Sequence, residues 1–162
     1  MDAKKDFHTL DDLYISPFTS VRYYDDNGQP RYRPLERNLH PTGLYAADLL
    51  LQSLTLGRGS LSDLARRLGC SSRDLSGLIR CLTGQPSDQF RTAYRKRLVT
   101  DLLRFTDLPL PDVAARSGIG RKRNLHLFTN LHFGCTPEEL RHRIRQVGDA
   151  GRFGVELRQS RL

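Results

Sequence analysis

An internal repeat constrains the fold of this 162-residue chain more than any other feature of its sequence. The segments LSDLARRLG (residues 61–69) and LPDVAARSG (residues 110–118) both read L-x-D-[LV]-A-x-R-x-G, at an offset of 49 residues. The central alanines allow two helices to cross closely, and the glycines supply turn conformations that a β-carbon resists. In both copies a second helix is predicted to begin three residues after the glycine. The repeat therefore predicts two units of helix, glycine turn and helix, the pattern of a tandem helix-turn-helix protein.

Helix start and stop signals around the repeat predict a mainly α-helical fold. Apolar residues at helical spacing predict a long linker helix over residues 87–105. The turn sequence DDNGQP between short extended segments predicts a small β-hairpin from about Ser20 to Arg33. The predicted organisation is an N-terminal extension with this hairpin (residues 1–41), a helical domain (residues 42–147) and a basic C-terminal tail (residues 148–162). The helical domain divides into a first helix-turn-helix (residues 44–86), the linker helix and a second helix-turn-helix (residues 110–147).

Positive charge is concentrated in the part of the chain that holds the repeat. The net charge is +8, yet residues 1–56 hold 6 Lys and Arg against 8 Asp and Glu. Residues 57–162 hold 20 Lys and Arg against 10 Asp and Glu. Such an excess is typical of proteins that bind polyanions. Composition alone is equally compatible with a merely basic surface.

Several classes of function are disfavoured by what the sequence does not contain. No apolar run approaches the roughly 18 residues of a membrane span, and the N-terminus has no signal-peptide core. The three cysteines have no metal-ligand spacing, which predicts reduced thiols in the cytoplasm. There is no phosphate-binding glycine loop and no pattern of nucleophile, base and acid. We therefore expect no enzyme activity, no cofactor and no metal site.

The segment GIGRKRNLHLFTNLHFG, residues 118–134, places three cations where a helix begins. Arg121, Lys122 and Arg123 oppose the positive N-terminal end of the helix dipole, at a cost of about 0.3–1 kcal/mol each. A solvated charge run would leave this cost without compensation. Phosphate groups near the helix N-terminus would reverse its sign, because that end of a helix attracts anions. The charge placement therefore favours contact with nucleic acid.

The stretch from about Leu44 to Arg145 resembles the DNA-binding domain of the AraC/XylS family of bacterial transcription regulators. The resemblance rests on both repeat segments, the TGQP closure of the first unit, the F-x-x-x-x-R spacing of Phe90 and Arg95, and FGCTPEELR near the end. It implies two helix-turn-helix units joined by a rigid helix, whose recognition helices enter successive major grooves on one face of double-stranded DNA.

The resemblance also implies roles for individual residues. Base contacts are implied for Arg73, Ser76, Lys122, Arg123 and His126, and phosphate contacts for Ser71, Ser72 and Arg121. A structural role is the favoured alternative for Ser76 and an equal alternative for His126. Arg95 is implied to hold the two units together.

Two positions depart from the family pattern. Gly77 has no side chain at a base-reading position, and Thr129 stands where the family usually has phenylalanine. Either the neighbouring Phe128 takes over that packing, or the second recognition helix is rotated by one residue.

Two functions of different class follow from these residues. The first is a sequence-specific regulator in the bacterial cytoplasm that binds double-stranded DNA, with RNA polymerase and a second copy of the chain as further partners. The second is a degenerate helix-turn-helix that serves as a protein-interaction or accessory module with weak or no sequence-specific DNA binding. An accessory factor of a nucleic-acid enzyme is a weaker third option.

Overall fold

A computed structural model describes residues 6–58 and 60–156. Within these residues the chain forms eight helices and three short strands. They are α1 (Leu10–Leu13), β1 (Phe18–Tyr24), β2 (Pro30–Pro34), α2 (Tyr45–Thr55), α3 (Leu61–Leu68), α4 (Ser72–Thr83), α5 (Ser87–Phe105), α6 (Leu110–Arg116), α7 (Lys122–Phe133), α8 (Pro137–Ile144) and β3 (Phe153–Val155). The mainly α-helical fold with two helix-turn-helix units is confirmed. Among residues 6–58 and 60–156, none of the helices has the length and hydrophobicity of a membrane span.

The long helix α5 contributes to two separate hydrophobic cores. Its first half buries Phe90, Tyr94 and Leu98 against α2, α3 and α4. Its second half buries three more apolar residues against α6, α7 and α8, namely Val99, Leu102 and Leu103. The boundary between the two cores therefore falls between adjacent residues of a single helix.

The two repeat units differ by one residue in the turn. In the first unit Gly69 takes a left-handed conformation (φ +71°) and α4 begins three residues later, as predicted. The same prediction is wrong for the second unit, where α7 begins four residues after Gly118. That turn uses two left-handed glycines, Gly118 and Gly120, and the Gly120 N–H donates back to the Ala114 carbonyl at 2.9 Å. The recognition helices are consequently offset by 50 residues rather than 49.

The predicted β-hairpin is present, and a third strand joins it. Strands β1 and β2 pair antiparallel from Ser20 opposite Pro34 to Tyr24 opposite Pro30. Strand β3 pairs with the other edge of β1, giving the order β2-β1-β3. This strand lies within the segment that the sequence predicts as a basic tail. Residues 1–5 of the predicted extension and 157–162 of the predicted tail lie outside the described residues.

The segment that leads into the sheet contributes to both cores. Leu13 and Ile15 are buried in the first core, whereas Phe18 is buried in the second. The Ile15 N–H donates to the Tyr94 hydroxyl at 3.0 Å, and the Thr55 hydroxyl donates to the Ile15 carbonyl at 2.8 Å. Buried polar groups are stable only when paired in this way. Residues 13–18 therefore form a strap across α5 that links the two halves of the protein.

A polar cluster covers the strap on its solvent side. The Tyr14 hydroxyl donates to Asp101 Oδ2 at 2.8 Å, and the Arg97 guanidinium lies 4.7 Å from the centre of the Tyr14 ring. Arg97 also donates to Asp11 at 2.8 Å. Burial raises the pKa of both Tyr14 and Asp101. These contacts tie the N-terminal segment to the outer face of α5.

Phe18 is the side chain through which the sheet packs on the second core. Its ring stacks on Phe153 at 4.7 Å and meets the edge of Phe105 at 5.9 Å. We expect Phe18→Ala to lower the free energy of unfolding by about 3–5 kcal/mol, since Phe105 and Phe153 lose their ring contacts with Phe18 and a cavity is left in the core. Chemical denaturation measures this change. Tyr24→Ala, on the exposed end of the same strand, should change it by less than about 1 kcal/mol. Equal effects of the two variants would contradict the packing described.

Asp149 lies in the turn that leads into β3 and should make the stability of the protein depend on pH. Its carboxylate accepts from Arg104 Nε at 2.8 Å and from the Gln146 N–H at 2.9 Å. The Arg104 hydrogen bond in particular lowers the pKa of Asp149. Its contribution is therefore complete above the unfolded pKa of about 3.9 and is lost as pH falls through the lower folded pKa. Urea denaturation of Asp149→Asn between pH 7 and pH 2 should show a shallower acid decline than the wild type. An identical decline would contradict this role.

Candidate nucleic-acid interface

The recognition helices α4 and α7 present the same pattern of exposure to solvent. Residues 71–80 and 121–130 match at every position in whether the side chain is buried, half-buried or exposed. The inward positions are Leu75 and Ile79 in α4, and Leu125 and Thr129 in α7. Helix α7 is therefore in the same register as α4, with no rotation.

Thr129 occupies the core position itself, and Phe128 does not replace it. The Thr129 side chain is fully buried and its hydroxyl donates to the His126 carbonyl at 3.2 Å. Phe128 is half-buried at the edge of the second core, with its ring 4.4 Å from that of His132. Threonine thus occupies the buried position where the family usually has phenylalanine, and the helix is not rotated.

The predicted site residues lie at matching positions in the two units. The pairs, each separated by 50 residues, are Ser71 with Arg121, Ser72 with Lys122, Arg73 with Arg123, and Ser76 with His126. The first three pairs are exposed, whereas Ser76 and His126 are half-buried. His126 Nε2 lies 3.7 Å from Glu138 Oε1 at the start of α8. All eight residues therefore belong to the N-terminal halves of α4 and α7 or to their caps.

The N-termini of the two recognition helices differ sharply in chemistry. Ser71 caps α4: its hydroxyl accepts from the Asp74 N–H at 3.1 Å, and Asp74 accepts from the Ser71 N–H at 2.9 Å. The backbone hydrogen bond from Ser71 lowers the pKa of Asp74. Arg121 occupies the same position in α7, where it forms no side-chain cap. The first turn of α7 contains no acidic residue.

The three cations at the start of α7 form no ion pair in the described part of the chain. Arg121, Lys122 and Arg123 are all exposed, and none of them takes part in an ion pair with a described residue. The helix dipole and their mutual repulsion both disfavour this arrangement in water. An anion at this end of α7 would be attracted by the exposed N–H groups and by the cations together.

A basic hollow separates α4 from the start of α5. It has a volume of about 440 Å³ and is lined mainly by Arg73, Gly77 and Arg80 from α4 and by Ser87, Asp88 and Arg91 from α5. A β-carbon at Gly77 would meet no atom within 4 Å, so the missing side chain keeps the hollow open. Arg80 and Arg91 were not predicted from the sequence as site residues. Arg80 follows Arg73 by seven residues, a spacing that places both on one helix face.

The three cations in the middle of α5 point in different directions. Arg95 is half-buried beside the second turn, where a β-carbon at Gly118 would lie 3.7 Å from its Nε. Burial lowers the pKa of Arg95. Lys96 lies 5.6 Å from the centre of the Phe133 ring, and Arg97 points to the strap. Arg95 thus lies beside the second turn, and its role in holding the two units together stays a prediction.

Two helix-turn-helix units with exposed second helices define a tandem helix-turn-helix protein. A sequence profile of the family described as Helix-turn-helix domain matches residues 64–143. The chain thus carries an AraC-type helix-turn-helix DNA-binding domain over these residues. Domains of this family are transcription-factor domains and not enzymes, in agreement with the prediction of no enzyme activity for this part of the chain. No curated protein matches the chain.

Several solved structures are similar in fold. The C-terminal domain of the response regulator YesN from Fusobacterium nucleatum is 23% identical, with a TM-score of 0.50 over 59% of this chain and 93% of that chain. The C-terminal domain of the response regulator AraT from Geobacillus stearothermophilus is 21% identical, with a TM-score of 0.54 over 64% of this chain and 85% of that one. The DNA-binding domain of the transcriptional factor AdpA, solved with a target DNA, is 25% identical, with a TM-score of 0.51 over 60% and 90%.

Replacing the cation at the cap of α7 should stabilise the protein. We expect Arg121→Ser to raise the free energy of unfolding by about 1 kcal/mol, because serine caps the helix and one opposing charge is removed. The matched change Ser71→Ala removes the existing cap of α4 and should lower it by about 0.5–2 kcal/mol. Urea denaturation of both variants measures the two changes. A loss of stability in Arg121→Ser would show that the arginine is already compensated in the free protein.

Proposed function

We propose that the protein is a sequence-specific transcription regulator that binds double-stranded DNA with α4 and α7 in successive major grooves. The observation that carries the proposal is the group of three exposed cations, without an ion-pair partner among the described residues, at the N-terminus of α7 within an AraC-type domain. Such a group is unfavourable in water and favourable beside phosphates. The bacterial cytoplasm is the compartment in which such a regulator acts, and RNA polymerase and a second copy of the chain are its further partners.

The eight site residues divide into two roles. Ser71 and Arg121 are the N-caps of α4 and α7, and Ser72 is the first residue of α4. These three contact phosphates, because the N–H groups at a helix N-terminus attract anions. The other five residues contact base edges and follow the caps along each helix: Arg73, Ser76, Lys122, Arg123 and His126. Arginine and lysine bind the O6 and N7 atoms of guanine, the most frequent specific contact in the major groove.

Two further observations support this function. The AdpA DNA-binding domain, with which this chain shares 25% identity, was solved with a target DNA. The identical exposure pattern of α4 and α7 provides two reading helices on one rigid frame. Helix-turn-helix proteins use the N-terminal residues of such helices to contact bases.

The salt dependence of DNA binding tests the proposal. The affinity of the wild-type protein for its preferred duplex should fall steeply as the salt concentration rises. In a plot of the logarithm of the binding constant against the logarithm of the salt concentration, each neutralised phosphate contributes a slope of about −0.9. Reversing Lys122 and Arg123 to glutamate should reduce the affinity at low salt at least tenfold and flatten this slope. Fluorescence anisotropy with duplexes selected from a random pool measures both quantities.

A second double charge reversal distinguishes the effect of the α7 cations on DNA binding from the effect of net charge alone. Arg31→Glu with Arg33→Glu changes the net charge equally, on the exposed strand β2, and should leave the selected sequence unchanged with a smaller loss of affinity. Equal losses in the two double variants would contradict a specific role for α7. An unenriched pool combined with a flat salt dependence would overturn the proposal in favour of the protein-interaction module.

A further inference from the structure

Helix α7 exposes leucines and buries a threonine, the reverse of the usual arrangement. Leu127 is 61% exposed and Leu131 is 80% exposed, one helical turn apart. Thr129 lies between them in sequence and is fully buried in the core. Exchanging these residue types would favour the free protein, because buried apolar surface stabilises and exposed apolar surface does not. The outward leucines are therefore suited to a contact outside this chain.

The surroundings of Leu127 restrict what that contact can be. Arg123 lies one turn before Leu127 on the same face, beside Arg121 and Lys122. On the other side Asn130 is exposed and follows Leu127 by three residues. A partner that fits this face must be anionic overall yet carry an apolar group within its polar surface. The major groove of DNA meets this requirement, because the C5 methyl group of thymine is the apolar feature among its base edges.

The first recognition helix lacks the corresponding group. Gly77 lies at the position 50 residues before Leu127 and leaves the groove-facing side of α4 open. Cys81 lies at the position 50 residues before Leu131. An apolar reading side chain at the position of Leu127 is therefore a property of the second unit alone.

We propose that Leu127 selects a thymine in the second half of the DNA site by packing against its C5 methyl group. This proposal rests on the function proposed above. Leu127 is the sixth residue of α7, within the N-terminal half that reaches base edges in helix-turn-helix proteins. Leu131 lies a turn further from that end and serves as the matched control.

Removing the methyl group from individual thymines tests the proposal directly. In a duplex selected by the wild-type protein, each thymine of the second half-site is replaced in turn by deoxyuridine, which keeps the hydrogen-bonding edge and lacks the methyl group. One position should lose about fourfold in affinity, the equivalent of one buried methyl group. Leu127→Ala should bind the thymine duplex about fourfold more weakly and should bind thymine and deoxyuridine equally well at that position.

A control variant and a check of folding distinguish loss of the methyl contact from other effects of the substitution. Leu131→Ala should retain the full difference between thymine and deoxyuridine. Leu127→Ala should fold normally, because an exposed leucine is replaced by the best helix former, and circular dichroism checks this.

Two results would overturn the proposal and leave DNA binding intact. They are an affinity that depends on the methyl group at no position, and a Leu127→Ala variant that still distinguishes thymine from deoxyuridine. If both alanine variants lose self-association in sedimentation and methyl sensitivity is unchanged, the face joins two copies and the proposal is overturned. Absence of binding to any duplex would overturn the proposed function itself.

Discussion

Burial of α5 along both of its halves is the constraint on which the rest of the structure depends. Phe90, Tyr94 and Leu98 belong to the first core, and the next residue, Val99, already belongs to the second. A helix behaves as a stiff rod, so the two helix-turn-helix units cannot turn relative to each other without breaking one of these cores. The geometry of α4 and α7 is therefore fixed by packing at a distance from the residues that would touch DNA.

The N-terminal segment reinforces the same constraint. The backbone of Ile15 forms hydrogen bonds with the side chains of Tyr94 and Thr55 inside the first core. The Phe18 ring packs against the Phe105 ring in the second core. This segment crosses the junction between the cores on the side of α5 that carries Arg97. Arg95 lies on another side of the helix, against the second turn. The strap thus braces α5 on one side, and the first residues of both recognition helices stay exposed.

The sequence predicted those features that depend on local pattern. The repeat identified both units because alanine at a helix crossing and glycine at a turn have few substitutes, and the DDNGQP turn identified the hairpin. Strand β3 could not be predicted, since Phe153–Val155 is a strand only through its pairing with β1 and its packing on Phe18. Leu127 was not predicted as a site residue, because an exposed leucine has no distinct signal in the sequence of an amphipathic helix. Its exposure follows from the burial of Leu125 and Thr129, which periodicity did not distinguish.

The two units also differ in what they present, and their order along α5 is fixed by the chain. The first offers Arg73 beside the open position of Gly77, and the second offers Arg123 beside Leu127. A twofold symmetric dimer reads a duplex identically from either end. A single chain with two unlike helix-turn-helix units reads the two directions of a duplex differently. A DNA site that it recognised would therefore have a direction. One molecule would then be sufficient to distinguish upstream from downstream.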